Sequence, residues 1–179
     1  MTGLRPTLTL RVATPADAAG CAAIYAPYVH DTAITFEEVA PTASEMRRRI
    51  VARLATHTWL VAEDEGRLLG YAYAAPFRER SAFRWSCETT VYVDGEHHRG
   101  GVGRALYSRL LGQLGDRGFR TAVGVIALPN EPSIRLHESL GFRTVGVLPS
   151  IGYKLGAWHD VAWLACQVGD PGTPPADPT

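Results

Sequence analysis

Apolar residues along this chain fall into two alternating kinds of run. Short stretches rich in β-branched and aromatic residues, at 7–13, 59–62, 68–75, 85–93 and 121–127, predict strands. The first two of the three successive strands are joined by the turn-prone EDEGR, so 59–93 reads as an antiparallel meander. The run AVGVIA within 121–127 is apolar without alternation, as in a strand buried on both faces. Between the strands the spacing lengthens to that of helices. Thr14 is the expected cap and Pro15 the first-turn residue of a helix that includes Ala18, Ile24 and Tyr28. A second helix is predicted over about 42–54, with Met46, Ile50, Val51 and Leu54 as its apolar side. Val102, Leu106, Leu110 and Leu114 recur every four residues, widened by Ala105 and Leu111, and place a third helix that ends near Gly118. Asn130 caps a short fourth helix with Pro132 in its first turn and Gly141 at its close. Two strands finish the pattern, 143–147 with an extension to 154, and 162–168. The predicted order is βααβββαβαββ, without internal repeats.

The segment ETTVYVDGEHHRGGVG, from Glu88 to Gly103, is the richest in chemistry. A strand there opens through glycines onto a helix. Gly100, Gly101 and Gly103 remove Cβ atoms where the unpaired N–H groups of a helix start point outward, so an anion can approach the main chain, aided by the helix dipole and by Arg99 and Arg104. Glycine turns before helices are common, and most only make a tight connection.

Composition narrows the partners. At 179 residues, with 46% hydrophobic and 20% charged positions, the chain has the make-up of one soluble domain, expected over 1–168, followed by a Pro-rich tail at 169–179 expected to be disordered. Eighteen basic residues balance eighteen acidic ones, so neither nucleic acid nor an anionic membrane is an expected partner. Any anion site must therefore come from local geometry. Cys21, Cys87 and Cys166 are odd in number and set in apolar surroundings, as expected of reduced core thiols; with no leader-like or membrane-spanning run, the expected location is cytoplasmic.

Other phosphate and catalytic motifs fail on inspection. A dinucleotide fingerprint needs glycine where Leu106 stands, and no P-loop lysine follows the glycines. His97 and His98 are adjacent, and His137-Glu138 lacks the second histidine of a zincin, so no bound metal is expected. No G-x-S-x-G elbow occurs.

The stretch HHRGGVGRAL, followed after a strand by LPNEPSIRLHESLGF, resembles the acetyl-CoA-binding core of the GCN5-related N-acetyltransferase (GNAT) superfamily. Element order and count match that fold over nearly the whole chain. The resemblance implies an α/β (α+β) architecture, a central mixed but mostly antiparallel sheet flanked by helices. WSCETTVYV, AVGVIALPNEPSIRLHESLGF and GYKLGAWHDVAW are further similar to the phosphinothricin, methionine sulfoximine and methionine sulfone acetyltransferases. The implied cosubstrate is acetyl-CoA. Its pantetheine arm is implied to lie along Val91, Tyr92 and Val93, and its pyrophosphate against the N–H groups of His98, Arg99, Gly100, Gly101, Val102 and Gly103, with charge from Arg99 and Arg104. Asn130 is implied to hold the arm, and is equally well placed as a helix cap.

Acetyl transfer from a thioester needs a neutral amine, a polarised carbonyl and a proton for the thiolate. Glu88, on a strand beside Trp85, Cys87, Val91 and Tyr92, is the expected general base; the competing reading pairs it structurally with Arg84 or Arg78. His137, where many of the superfamily carry tyrosine, is the second catalytic candidate, as proton donor to sulfur, as helper in amine deprotonation, or as a satisfied structural residue. His159, in what reads as a GAWHD turn, is expected to be structural. For an acceptor with a carboxylate and a second polar head, Arg78 and Arg80 are the anion-binding candidates, Phe36 with Glu37 a pocket wall, and Thr89 and Thr90 hydroxyls beside Glu88. Direct attack in a ternary complex is expected, since no cysteine occupies an evident nucleophile position. A polyamine, an aminoglycoside or a protein N-terminus are alternative acceptors, and a CoA-binding module without turnover is the alternative from another class. The resemblance also implies a homodimer.

Overall fold

The computed structural model describes residues 8–170, 172 and 175–179. Its elements are β1 (Thr9–Val12), α1 (Ala18–Asp31), α2 (Ala43–Leu54), β2 (Trp59–Asp64), β3 (Arg67–Pro76), β4 (Ser86–Val93), α3 (Val102–Asp116), β5 (Thr121–Ala127), α4 (Glu131–Glu138), β6 (Arg143–Lys154) and β7 (Ala157–Gln167). Among the described residues the strands form one seven-stranded sheet in the order β1-β2-β3-β4-β5-β7-β6. Every neighbouring pair is antiparallel except β4 and β5, which α3 joins by a crossover. The expected mixed, mostly antiparallel class is what the chain adopts.

Helices cover both faces because the central strands are apolar on both. In β2, Leu60 and Ala62 join the core under α3, with Leu106, Tyr107, Leu110 and Leu114. Trp59 and Val61 turn the other way, into the core under α1 and α2, with Ile24, Tyr25, Met46 and Ile50. The four-residue spacing in α3 thus becomes a stripe whose Leu106, Leu110 and Leu114 are fully buried, each worth about 1.5–3 kcal/mol.

Four local readings change in the fold. The first helix is preceded by a 3₁₀ turn at Pro15–Asp17, and the Asp17 carboxylate accepts from both the N–H and the hydroxyl of Thr14 while it binds Arg11. The strand expected from residue 7 runs from Thr9; residue 7 lies outside the described residues. The GAWHD segment is strand rather than turn: β7 starts at Ala157, five residues earlier than expected, because Leu155 (φ 52°) and Gly156 (φ 77°) reverse the chain and pair Lys154 with Ala157 and Tyr153 with Trp158. The tail, expected to be disordered, is laid in its described part against the body. Trp85 Nε1 donates to the Ala176 carbonyl at 2.7 Å, and Arg84 pairs with Asp177.

No described helix is long and apolar enough to cross a membrane.

Candidate active site

The single parallel pair breaks the sheet open. β4 and β5 pair only over Ser86–Glu88 and Thr121–Val123; beyond Glu88 the strands part, and a wedge opens between 89–93 and 124–127. On the β4 side of the wedge, the Tyr107 hydroxyl lies 3.2 Å from the Thr89 carbonyl, and the Val93 carbonyl accepts from the Tyr28 hydroxyl at 2.5 Å. Strand alternation then aims the N–H and C=O of Val91, midway between them, into the same opening. An extended chain laid there would find strand-like partners.

The glycine loop stands at the open end. Arg99 (φ 64°) and Gly101 (φ 83°) lie in the left-handed region, and Gly101 begins α3 with no side chain to cap it. The first-turn N–H groups of Val102, Gly103 and Arg104 therefore have no intrahelical acceptor and face outward at the positive end of a 15-residue helix. A Cβ added to Gly101 meets nothing within 4 Å, so the space before these amides is clear. This is the chemistry a diphosphate requires. His98 carries a second bond set, its Nε2 lying 2.8 Å from the Tyr28 hydroxyl and 3.1 Å from the Val93 carbonyl, which ties the loop to the end of β4. The Arg104 guanidinium donates to Ser139 Oγ at 2.7 Å, while Arg99 is exposed.

Glu88 lies at the point of the wedge, opposite Ala75 of β3 and Val123 of β5. It is half-buried, and no described side chain forms a hydrogen bond or ion pair with its carboxylate. Burial raises its pKa above the usual carboxylate value, opposed by the charges of Arg78 and Arg53. The alternative pairing with Arg84 is not made: that guanidinium stacks on Trp85, 3.8 Å from the ring centroid, and binds Asp177. On the same face, two residues beyond Val123, Val125 and its register partner Trp163 enter a 340 Å³ apolar cleft shared with Phe36, Leu148, Ile151 and Tyr153. Arg78 closes toward it, its guanidinium 4.4 Å from the Phe77 centroid and 5.1 Å from that of Trp163. A half-buried carboxylate thus stands where the wedge begins, on the sheet face that carries the apolar cleft.

His137 is placed differently. It is 4% exposed, with Nδ1 2.8 Å from the Ser133 carbonyl and Nε2 3.0 Å from the Tyr107 hydroxyl. A carbonyl only accepts, so the proton belongs on Nδ1 and Nε2 accepts from Tyr107. Burial lowers the His137 pKa and keeps the ring neutral. The ring reaches this position because β5 has glycine at 124, where a Cβ would lie 2.7 Å from His137 Nε2. Tyr107 in turn lies 2.6 Å from Thr89 Oγ1 and stacks on Phe142 at 5.7 Å between centroids. Burial raises the Tyr107 phenol pKa. Tyr107 is the site residue that sequence reading missed, since a tyrosine in an apolar helix stripe carries no sign that its hydroxyl fills a gap in a sheet.

The remaining candidates divide between the two faces of β4. Thr90 shares a face with Glu88, whereas Thr89 turns to Tyr107 on the opposite face and is 3% exposed, so its hydroxyl does not stand beside Glu88. The backbone of Val91, Tyr92 and Val93 borders the wedge, and the Tyr92 ring packs 4.7 Å from Tyr25 and 5.0 Å from Tyr28. Asn130 caps α4, Oδ1 accepting from Ser133 N–H at 3.3 Å, which leaves its amide NH₂ free of the cap. Arg80 is exposed in the loop before β4, and Glu37 binds Arg49 at 2.7 Å. The three thiols are free; burial pushes Cys21 and Cys87 up to about 12 and raises Cys166 also, so none is a ready thiolate. Asp94, Glu96 and His97 cluster with ligand atoms within 4.8 Å, and Arg67 binds both carboxylates, at 3.1 and 2.8 Å.

An open helix start, a split sheet and a half-buried carboxylate on the face of an apolar cleft are the parts of a group-transfer enzyme. The model of the acetyltransferase (GNAT) domain matches residues 10–163, and the chain belongs to this family of acetyltransferases. It is 42% identical over 159 residues, 89% of this chain and 87% of the relative, to phosphinothricin N-acetyltransferase of Streptomyces viridochromogenes. It is 34% identical over 170 residues, 94% of this chain and 99% of the relative, to L-methionine sulfoximine/L-methionine sulfone acetyltransferase of Salmonella typhimurium. Among solved structures, a GNAT superfamily phosphinothricin acetyltransferase from Sinorhizobium meliloti in complex with AcCoA superposes with a TM-score of 0.89 at 38% identity, covering 97% of this chain and 94% of that one.

Proposed function

We propose that this protein transfers the acetyl group of acetyl-CoA to the α-amine of a small amino acid of the phosphinothricin, methionine sulfoximine or methionine sulfone kind, by direct attack. The observation that carries this reading is the unpartnered Glu88 carboxylate where the wedge begins, on the sheet face that carries the apolar cleft. The pyrophosphate is held by the N–H groups of 98–103 with Arg99 and Arg104, and the arm by the backbone of Val91–Val93 and by the Asn130 amide. Glu88 takes a proton from the ammonium of the acceptor, directly or through water. The freed lone pair attacks the thioester carbonyl, the tetrahedral adduct collapses with cleavage of the C–S bond, and the second proton that the nitrogen sheds as it becomes an amide passes to the departing thiolate. A thiolate is a far weaker base than an alkoxide and leaves readily, so this step has little need of an acid. His137, with Nδ1–H committed to Ser133, contributes by holding Tyr107 across the wedge.

Arg78 binds the acceptor's carboxylate or polar head, and its charge disfavours cationic acceptors such as polyamines and aminoglycosides. Capping the amine removes the charge by which such an analogue is recognised, hence a role in resistance to it. Three free thiols fit work in the reducing cytoplasm. Release of thiol from acetyl-CoA, followed across a panel of amines, tests the acceptor class. Turnover with phosphinothricin or methionine sulfone far above that with spermidine, kanamycin or an alanine-led peptide is expected; the reverse order overturns the assignment.

The reading extends to a homodimer. β6 is an edge strand whose Val145 and Val147, outside the acceptor cleft, are 64% and 48% exposed, an apolar edge that a second copy would cover. Light scattering is expected to give twice the chain mass; a monomer at micromolar concentration contradicts this.

A further inference from the structure

Lys154 is buried at the end of β6, 5% exposed, and the mechanism above makes no use of it. Its Nζ donates to the backbone carbonyl of Thr35 at 2.7 Å, across 119 residues of sequence. A buried ammonium costs free energy unless it is partnered, so a lysine kept here has a structural consequence for its partner. That partner lies in the connection between α1 and α2, the segment 32–37 that carries Phe36 into the acceptor cleft.

The segment is seated on β6 from two directions. Beside Lys154, Gly152 leaves the strand bare, and a Cβ there would lie 2.3 Å from Phe36 Cε1 and Cζ, so the ring packs directly on the strand backbone. His159, on the neighbouring strand, has Nε2 3.0 Å from the Lys154 carbonyl and its ring centroid 6.2 Å from that of Phe36. On the helix side, the Tyr25 hydroxyl lies 2.5 Å from Thr35 Oγ1 and Arg49 holds Glu37. Those contacts fix the segment to the helices. Among the described residues, the Lys154 bond is the polar link from the segment to β6, the strand that supplies Leu148, Ile151 and Tyr153 to the cleft.

We propose that Lys154 is a positioning residue that latches the 32–37 segment to β6 and so sets the width and selectivity of the acceptor cleft. Burial lowers the Lys154 pKa while Glu38 and Glu37 raise it, in keeping with an ammonium retained for its charge-assisted bond. The latch rests on the amino-acid acetyltransferase reading for its effect on turnover, but not for its effect on the segment.

The test compares wild type, Lys154→Met, Lys154→Arg and Gly152→Ala by two readouts. In kinetics with phosphinothricin and with methionine sulfone, Lys154→Met is expected to raise KM for the acceptor about tenfold, with KM for acetyl-CoA unchanged and kcat within about twofold. Lys154→Arg is expected to recover most of the loss. Gly152→Ala, which dislodges Phe36 without touching the ammonium, is expected to reproduce the acceptor KM effect. By hydrogen exchange, Lys154→Met is expected to speed exchange selectively across 32–37. Unchanged acceptor KM together with unchanged exchange at 32–37 overturns the latch. Wild type inert on both acceptors overturns the functional reading alone, and the exchange result still decides the latch. If Lys154→Met does not fold, Lys154→Gln, which removes the charge and shortens the side chain, decides it: normal acceptor KM and normal exchange at 32–37 count against it.

Discussion

Replacing Glu88 by Gln is expected to lower kcat by roughly 10²–10⁴-fold while KM for acetyl-CoA stays near the wild-type value. The side chain keeps its size, and the backbone pairs with Ala75 and Val123 are untouched, so the loss reads the proton acceptor alone. Because burial raises the Glu88 pKa, wild-type kcat/KM for the acceptor should fall with decreasing pH along a limb set above the usual carboxylate range, and Glu88→Gln should lose that limb. The sign for stability is the opposite of that of a salt-bridged acid. A carboxyl whose pKa is higher folded than unfolded binds more protons in the native state, so stability falls as pH rises through the window between the two values. At neutral pH the charge is a net cost, and Glu88→Gln should raise Tm. A variant with wild-type turnover would remove Glu88 from the mechanism; a lower Tm would show that the carboxylate has a favourable partner.

Gly101→Asp carries the second large effect, expected on the other substrate. Gly101 has φ 83°, a conformation that Asp tolerates better than most residues, and nothing lies within 4 Å of a Cβ there, so the fold should persist. The new carboxylate stands in front of the N–H groups of Val102, Gly103 and Arg104, where the pyrophosphate is to bind. Like charges set together at a binding interface cost several kcal/mol, so KM for acetyl-CoA should rise about a hundredfold, with far less change in KM for the acceptor. Steady-state kinetics with each substrate varied in turn separates the two. An unchanged acetyl-CoA KM would place the diphosphate elsewhere.

Much of the fold was legible because local pattern and burial agree. The four-residue spacing from Val102 to Leu114 is a helix stripe in the core, and WLVA at 59–62 is buried on both sides of the sheet. The glycine loop was legible for a related reason: exposed backbone donors need bare positions, and bare positions show in a sequence. Features that depend on where strands part were not legible. Nothing in ETTVYV states that pairing with AVGVIA ends at Glu88, so the wedge and the role of Tyr107 within it emerge only when β4 and β5 are side by side. The placement of Thr89 beside Glu88 failed on alternation, which sends adjacent residues to opposite faces. His137 stood open between proton donor, helper in amine deprotonation and structural residue, because its burial between Ser133 and Tyr107 shows only in the fold. The early start of β7 escaped because GAWHD looks like a turn until Leu155 and Gly156 make a tighter one ahead of it. Lys154 gave no signal, as burial of a single lysine depends wholly on the carbonyl that meets it.

The central claim is that an amine held beside Glu88 attacks acetyl-CoA directly. Initial rates of thiol release, with acetyl-CoA and phosphinothricin both varied, test it most directly when joined to mass spectrometry of the enzyme mixed with acetyl-CoA alone. Intersecting double-reciprocal lines, an N-acetylated amino acid as product and unmodified protein are the predicted result. Parallel lines with an isolable acetyl-enzyme, or no thiol release above the rate without enzyme, would contradict it.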